Sequence, residues 1–339
     1  MKAIYLVRKG PPEKAFEFRD VEMPAYTDGQ VLIRVEGFGL NFADIVAREG
    51  MYRDAPPMPF IPGYDVVGTI EACGTDVRGL KKGDRVTALT RFGGYAEYAV
   101  TDARAAVHIP SSTDIVAASA LTTQYCTAYY SAAVAANLRQ GELVIIHSAA
   151  GGVGSAIMQY ALYKHCEIIA TTGSASKVDL LKSAGATHVI NTSKGSFFRT
   201  VKSLYPSRGL DVIFDALGGK FVRQGIQLLT PGGRIVTYGA SQMTGTNFFR
   251  RIKAALQFGI YHPAIFMMNS KSLIGVNMLH LADQKPEMVQ HCLTEVIELF
   301  NKGIFKPAEG KLFPAGEIAA AHRYLQDRKA TGKVALSWR

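Results

Sequence analysis

One short stretch of this chain has the residue types and spacing of a phosphate cradle. Ala149-Ala150-Gly151-Gly152-Val153-Gly154 follows the apolar run Leu143-Val144-Ile145-Ile146-His147 and opens a segment, Ser155 to Lys164, with apolar residues at helical spacing. This is the A-x-G-x-x-G form of the dinucleotide fingerprint. Gly151 lets the backbone approach a pyrophosphate, and Gly154 lets helix and strand pack closely. Ala150, Gly152 and Val153 complete the turn, and the helix start offers free N–H groups and a positive dipole end to phosphate. Small residues also make ordinary tight turns, but here both flanks are those a nucleotide site requires.

The end of the next strand selects the dinucleotide. An NAD-selective site carries Asp or Glu roughly 20 residues after the glycines, to hold the ribose hydroxyls. This chain has Thr172-Gly173-Ser174-Ala175-Ser176-Lys177 there, with no carboxylate to repel a 2′-phosphate. Ser174 is able to donate a hydrogen bond to such a phosphate, and Lys177 supplies charge. The plainer alternative has Ser176 capping a helix and Lys177 solvated in its first turn. A lysine at a helix start runs against the dipole, which favours the binding role. The expected cofactor is NADP, as NADPH.

The elements around these residues read as two halves. The first third is β-rich, with short β-branched runs at Val31–Val35, Val66–Ile70 and Arg85–Leu89 set off by Gly, Pro and Asp. From about residue 125 strands alternate with helices. Strands are expected at Leu143–His147, Glu167–Thr172, His188–Ile190, Asp211–Asp215, Arg234–Tyr238 and Ser272–Val276, with a helix from about Ser176 to Ala184. Near-continuous apolar strands alternating with helices imply a parallel sheet covered on both faces. Helices near Pro286–Asn301 and Ala315–Gln326 and a last strand, Lys333–Leu336, do not extend the alternation and are assigned back to the first half.

Composition bounds the class. At 339 residues, with 48% hydrophobic and 19% charged residues, the chain has room for two globular domains. No apolar run reaches a membrane span's length, and the N-terminus does not read as a signal peptide, so a cytoplasmic location is expected. Cys73, Cys126, Cys166 and Cys292 are scattered with no C-x-x-C pair, which signals neither a zinc knuckle nor a redox dithiol. The net charge of +10 favours anionic partners without choosing among them.

The order of a β-rich first domain, an Ala-Ala-Gly-Gly-Val-Gly nucleotide domain and a C-terminal return resembles the medium-chain dehydrogenase/reductase superfamily. Gly39-Leu40-Asn41-Phe42-Ala43-Asp44, Pro59-Phe60-Ile61-Pro62-Gly63-Tyr64-Asp65 and Gly332-Lys333-Val334 are similar to its zinc-independent quinone oxidoreductase branch. Leu121 to Tyr130 is most similar to the vesicle amine transport protein-like group. The resemblance covers essentially the whole chain. It implies an α/β protein, a Rossmann doubly wound parallel sheet plus a discontinuous GroES-like β-rich catalytic domain: residues 1–124 catalytic, 125–268 nucleotide-binding, and 269–339 the sixth strand and the return.

Zinc-bearing alcohol dehydrogenases place a cysteine where this chain has Asn41 and Gly-His-Glu where it has Gly63-Tyr64-Asp65. Their structural-zinc cysteines correspond to Thr90–Tyr95, which contains none. A catalytic zinc needs three N, S or O ligands and an open position, so no metal is expected. Without a Lewis acid the hydride acceptor must be an easy electrophile, a quinone or an α,β-unsaturated carbonyl.

By resemblance Asn41 lies near the nicotinamide and its ribose, in a cleft between the domains. The same asparagine is equally placed to cap a helix starting at Phe42, and the two uses are compatible. Tyr52 and Tyr64 flank the cleft and are candidates, with water, for the proton donor to the developing oxyanion; aromatic packing is the plainer account. Thr127 corresponds to a phosphate contact. Tyr238 and Gly239 are expected beside a ribose, Val276 and Asn277 beside the carboxamide, Lys333 on the cofactor side of the cleft, and Leu217 among the cofactor contacts. Many relatives carry a tyrosine after the third strand that helps hold the 2′-phosphate. This chain has Asn191-Thr192, which weakens the preference for NADP without reversing it.

Residues 247–268 are basic and apolar together, and the least family-like part of the chain. They read as a cover over the substrate cleft, a dimer contact, or an amphipathic element giving weak membrane contact. A homodimer through edge strands near Ile274 is expected by resemblance. No RNA-recognition motif is present, so no nucleic acid is expected. Two other functions stay open: an enoyl-thioester reductase, and an NADPH-binding protein with little turnover and a membrane- or partner-related role.

Overall fold

The computed structural model describes residues 1–241 and 256–338. The chain divides into two compact units. The first comprises Met1–Cys126, Met278–Lys302 and Pro307–Arg339; the second comprises Thr127–Asn277 and Gly303–Lys306.

The first unit is built on a seven-stranded sheet whose centre is the long strand Gln30–Leu40. That strand pairs antiparallel with Asp65–Cys73, Val334–Ser337 and Tyr98–Asp102. Arg85–Leu89 and Ala106–His108 extend one side, and Lys311–Pro314 the other. Ile33, Val35, Phe38, Val66, Ile70, Val86, Val334 and Leu336 form its core with Tyr95 and Ile318. The register matters for chemistry. Leu40 faces Val334 and Phe38 faces Val66. Asn41, just past Leu40, Asp65, just before Val66, and Lys333, just before Val334, therefore reach one end of three adjacent strands.

The second unit holds six parallel strands in the order His188–Asn191, Glu167–Thr172, Leu143–Ile146, Leu210–Asp215, Leu229–Thr237, Ser272–Gly275. This is the doubly wound order in which the chain starts at the centre and builds outward both ways. All four residues of Leu143–Ile146 are buried, as a strand covered on both faces requires. The six strands sit where the hydrophobic runs predicted them, with ends displaced by a residue or two; Leu229–Thr237 starts five residues earlier than expected.

Three local features go beyond the sequence reading. The chain from Leu121 to Ala135 is not a plain helix: π-helical turns at Leu121–Tyr125 and Tyr130–Ala135 bracket the helical turn Cys126–Tyr129. The C-terminal return is interrupted, because Gly303–Lys306 joins the second unit. Phe305 is buried there 6.4 Å from the Tyr160 ring, and Gln159 exchanges two hydrogen bonds with the Lys306 backbone. Of residues 247–268, 247–255 lie outside the described residues. In the remainder, helix Pro263–Asn269 leaves Met267 and Met268 more than three-quarters exposed. Among the described residues no helix is long and apolar enough to cross a membrane.

Candidate functional site

In the second unit the fingerprint forms the turn its residues dictate. Ser148, with φ of 55°, reverses the chain after the central strand, and Gly151 stands at the N-cap of helix Gly152–Tyr163. A Cβ on Gly154 would lie 2.5 Å from the Ser148 carbonyl oxygen and 2.9 Å from the Ala149 Cα, so only glycine lets helix and strand approach this closely. At Gly151 the nearest atom is 3.2 Å away. A methyl there needs the Ser148 carbonyl oxygen to give by only a few tenths of an ångström, and it would stand over the free N–H groups of the helix start.

The other candidates gather at the same edge of the sheet. Gly173, Ser174 and Lys177 follow the second strand, Thr192 the third, Leu217 the fourth, Tyr238 and Gly239 the fifth, and Val276 and Asn277 the sixth. All are at carboxyl ends of parallel strands, where open α/β sheets bind ligands. Ser174 precedes a 3-10 turn, Ala175–Lys177, and the α-helix begins only at Val178. Ser176 therefore does not cap that helix; its hydroxyl bonds the Ser174 hydroxyl at 2.8 Å. Lys177 is half-buried, and burial lowers its pKa, which lowers the cost of giving up solvent for an anion. Thr192 turns inward instead, donating to the Thr172 carbonyl. Tyr238 has a buried hydroxyl with no partner among the described residues, and burial pushes its pKa up. Thr127 is buried in the segment Cys126–Tyr129, where the chain enters the unit.

Two residues at this edge escaped the sequence reading. Asp215 ends the fourth strand and accepts from the backbone N–H groups of Leu217 and Gly218, shaping the turn that carries Leu217; burial raises its pKa to about 6. An aspartate before Ala-Leu-Gly-Gly is the available signal, since such a carboxylate bonds backbone two residues on. His147 directly follows the central strand, with its ring edge-on to Phe197 and Phe221 and Nδ1 3.0 Å from the Thr171 hydroxyl. Burial drops its pKa to about 3, so it is neutral.

In the first unit the three strand ends form a closed polar cluster. Asp65 Oδ2 accepts from Asn41 Nδ2 at 2.6 Å, from Thr123 Oγ1 at 2.7 Å and from Lys333 Nζ at 2.8 Å. Lys333 Nζ also donates to Asn41 Oδ1 at 2.8 Å. The side chains of Lys333 and Asp65 are completely shielded from solvent. Asn41 does stand at the N-cap of helix Phe42–Arg48, and Asp44 accepts from its N–H at 2.8 Å. Burial, with Asp65 close by, pushes Asp44 up to about 7. Asp65, Asp44 and Thr123 were not singled out from sequence as site residues, although all three lie inside the stretches quoted above.

Tyr52 and Tyr64 are neighbours, with ring centres 5.9 Å apart and edge to face. Tyr64 also packs against Phe92, and its hydroxyl is buried with no partner among the described residues. Tyr52 is less enclosed; burial raises its pKa to about 12, so it too is a neutral phenol. Close by, Arg91 pairs with Asp283 and His280 with Asp54.

This arrangement has counterparts of known type. Residues 27–111 match the family model of the alcohol dehydrogenase GroES-like domain, and 152–296 that of the zinc-binding dehydrogenase. The synaptic vesicle membrane protein VAT-1 homolog of Rattus norvegicus is 35% identical over 319 residues, covering 92% of this chain and 78% of that protein. The quinone oxidoreductase of Homo sapiens is 31% identical over 338 residues, covering 99% of this chain and 97% of the enzyme. The chain belongs to the quinone oxidoreductase family of the medium-chain dehydrogenase/reductase superfamily. Solved structures agree. The CurK enoyl reductase superposes with a TM-score of 0.85 at 28% identity, covering 99% of this chain and 98% of that one. A mycobacterial protein complexed with NADPH gives 0.86 at 26% identity, covering 99% and 100%.

Membership in this oxidoreductase superfamily raises the question of zinc, which one matched model carries in its name. The residues here do not fit it. By the family resemblance, Asn41 and Tyr64 correspond to residues that zinc-bearing relatives use as ligands, and the Lys333 ammonium, itself a cation, bonds both Asn41 and Asp65. A carboxylate already neutralised by a buried ammonium offers a metal little, and an ammonium this close repels it. Among the described residues no group of three or more His, Cys, Asp or Glu is arranged to hold a metal.

Proposed function

We propose that this oxidoreductase binds NADPH and reduces a quinone or other α,β-unsaturated carbonyl without zinc. The observation that carries this reading is the Lys333–Asp65–Asn41 cluster standing where a metal-dependent relative would hold its Lewis acid. Alcohol oxidation needs a metal or a dedicated base to remove the hydroxyl proton. A conjugated carbonyl needs neither, because its own π-system spreads the incoming charge.

The residues present fit the cofactor. The glycine turn leaves backbone N–H groups free at a helix start, and the second strand ends in Ser174 and Lys177 with no carboxylate. When bound, NADPH supplies hydride. In the second unit Ala150, Gly151, Gly152, Val153 and Gly154 would hold its pyrophosphate; Gly173, Ser174 and Lys177 its 2′-phosphate end, with the inward-turned Thr192 supporting the strand end beneath them; Thr127, Leu217, Tyr238, Gly239, Val276 and Asn277 the remainder. In the first unit Asn41 orients the reacting groups and Tyr52 meets the acceptor oxygen. The buried Tyr64 hydroxyl supports a packing role beneath Tyr52 rather than contact with substrate.

The exposed edge strand Ser272–Gly275 supports a homodimer, since an unpaired strand edge is a template for a second copy. Likeness to an enoyl reductase favours enoyl-thioester reduction as the second reading. NADPH consumption against a panel of quinones, enones and an enoyl-CoA, with NADH in parallel and with a chelator, tests both. Turnover with quinones or enones, selective for NADPH and indifferent to chelator, is expected. Saturation with enoyl-CoA alone, or tight NADPH binding with no turnover, would overturn the quinone reading.

A further inference from the structure

The buried cluster has more order than a stabilising ion pair needs. Asn41 is an amide whose two ends are chemically opposite, and each end meets its complement: Oδ1 faces the Lys333 ammonium and Nδ2 faces the Asp65 carboxylate. Turning the amide over would set NH2 against ammonium and oxygen against carboxylate, so a single orientation is enforced. Thr123 donates to the same carboxylate oxygen and fixes Asp65 from the π-helical turn Leu121–Tyr125. The space for this is carved by glycines. A Cβ on Gly39 would lie 2.0 Å from Asp65 Oδ1 and 2.2 Å from Lys333 Cε; one on Gly310 would lie 2.0 Å from the Lys333 carbonyl oxygen.

Energy alone does not explain the arrangement. Two charges removed from water rarely beat well-packed apolar side chains of the same size. Asp65 Oδ1 is also buried with no hydrogen-bond partner among the described residues, a further cost that a purely stabilising pair would avoid. The expectation that Lys333 itself meets the cofactor is not supported, because its ammonium is enclosed and engaged by Asn41 and Asp65.

We infer that Lys333 and Asp65 are positioning residues: together they hold the Asn41 amide in one orientation, leaving its second Nδ2 N–H in a fixed direction for the ligand. This rests on the reading above that Asn41 serves the reacting groups. The cluster thereby replaces metal geometry with amide geometry. A neutral group takes the ligand contact, and a buried charge pair beneath it supplies the direction.

The test compares Lys333→Met, Asp65→Asn and the double variant Lys333→Met/Asp65→Asn in the full chain. Each single change leaves one buried charge uncompensated and lowers the melting temperature; the double change removes both charges and recovers most of it. If the pair only stabilises the fold, kcat/KM recovers with the melting temperature. If it positions Asn41, the double variant is folded yet kcat/KM stays down about 100-fold, the cost of small misplacement at a reacting centre. A second readout does not depend on turnover. With asparagine 15N-labelled, the side-chain NH2 signals of Asn41, assigned by their loss in Asn41→Ser, are expected to be distinct in the wild-type protein and to move towards those of free amides in the double variant. Unchanged Asn41 signals, or full recovery of kcat/KM in the double variant, would overturn the inference. A wild-type protein without turnover on any acceptor would sink the quinone reading while the amide signals still decide the positioning.

Discussion

Gly154→Ala and Gly151→Ala separate what the fingerprint does for the fold from what it does for the cofactor. At Gly154 the new Cβ would meet the Ser148 carbonyl oxygen at 2.5 Å, the Ala149 Cα at 2.9 Å and the Ser148 carbonyl carbon at 3.0 Å. All three are backbone atoms, so no side chain is there to swing aside. Ordinary contact starts near 3.4 Å, and helix Gly152–Tyr163 must withdraw by 3.4 − 2.5, about 0.9 Å. Overpacking of this kind costs about 1–3 kcal/mol, and alanine's better helix propensity returns at most about 1. The expected net loss is about 1–2 kcal/mol, with NADPH affinity falling as well. At Gly151 the sole contact is at 3.2 Å and φ is −85°, which alanine adopts freely. Gly151→Ala is expected to change stability by less than about 1 kcal/mol while weakening NADPH binding, because the methyl stands over the helix start. Urea unfolding followed by far-UV circular dichroism gives the stabilities. Trp338, the single tryptophan, lies in the first unit and reports that unit's core separately. Binding is read from NADPH fluorescence. A Gly154→Ala protein within about 0.5 kcal/mol of wild type, or a Gly151→Ala protein less stable than it, would refute the close-packing argument.

Other outcomes follow from single side chains. Lys177→Ala is expected to weaken NADPH binding roughly 10- to 150-fold, the worth of one hydrogen bond to a charged group, and to leave NADH binding unchanged; equal loss for both dinucleotides would remove Lys177 from the phosphate site. His147 is neutral in the fold with a pKa near 3, whereas the unfolded chain takes up that proton as pH falls below about 6.5. Its contribution is therefore present above pH 6.5 and lost on the way down to 3. Between pH 6 and pH 4, wild type should lose about 1.4 kcal/mol per pH unit more than His147→Met, and parallel stability curves would contradict this. Tyr64→Phe removes a hydroxyl that has no partner among the described residues, so stability should hold or rise by up to about 1 kcal/mol with kcat within a few-fold. Tyr52→Phe should lower kcat about 100-fold, the lower end of general-acid contributions; the reverse ranking would make Tyr64 the residue that meets the acceptor.

Much of the second unit was legible along the chain. Apolar runs of β-branched residues, alternating with helical spacing, mark strands whose two faces are both covered. The glycine turn follows from local sterics, because Ala149 to Gly154 meets its own preceding strand only a few residues away. The absence of a carboxylate after Thr172 is likewise a local fact. The order of the six strands was not legible in this way: alternation and right-handed crossovers suit more than one doubly wound order, and the Rossmann order was implied by the family resemblance.

The polar cluster of the first unit was decided by tertiary structure. Lys333 and Asn41 are 292 residues apart, and Lys333 and Asp65 are 268 apart. Nothing in the local composition of Gly332-Lys333-Val334 distinguishes a fully shielded ammonium from a solvated one, and lysine is ordinarily exposed. Only the register of three antiparallel strands brings those ends together, and only there does Gly39 acquire its reason. The same holds for the enclosed Tyr64 hydroxyl and for Phe305, which leaves the C-terminal return to pack on the second unit. Periodicity reports which face of an element is apolar. Which charges share a buried space depends on how sheets close, and that is a property of the folded whole.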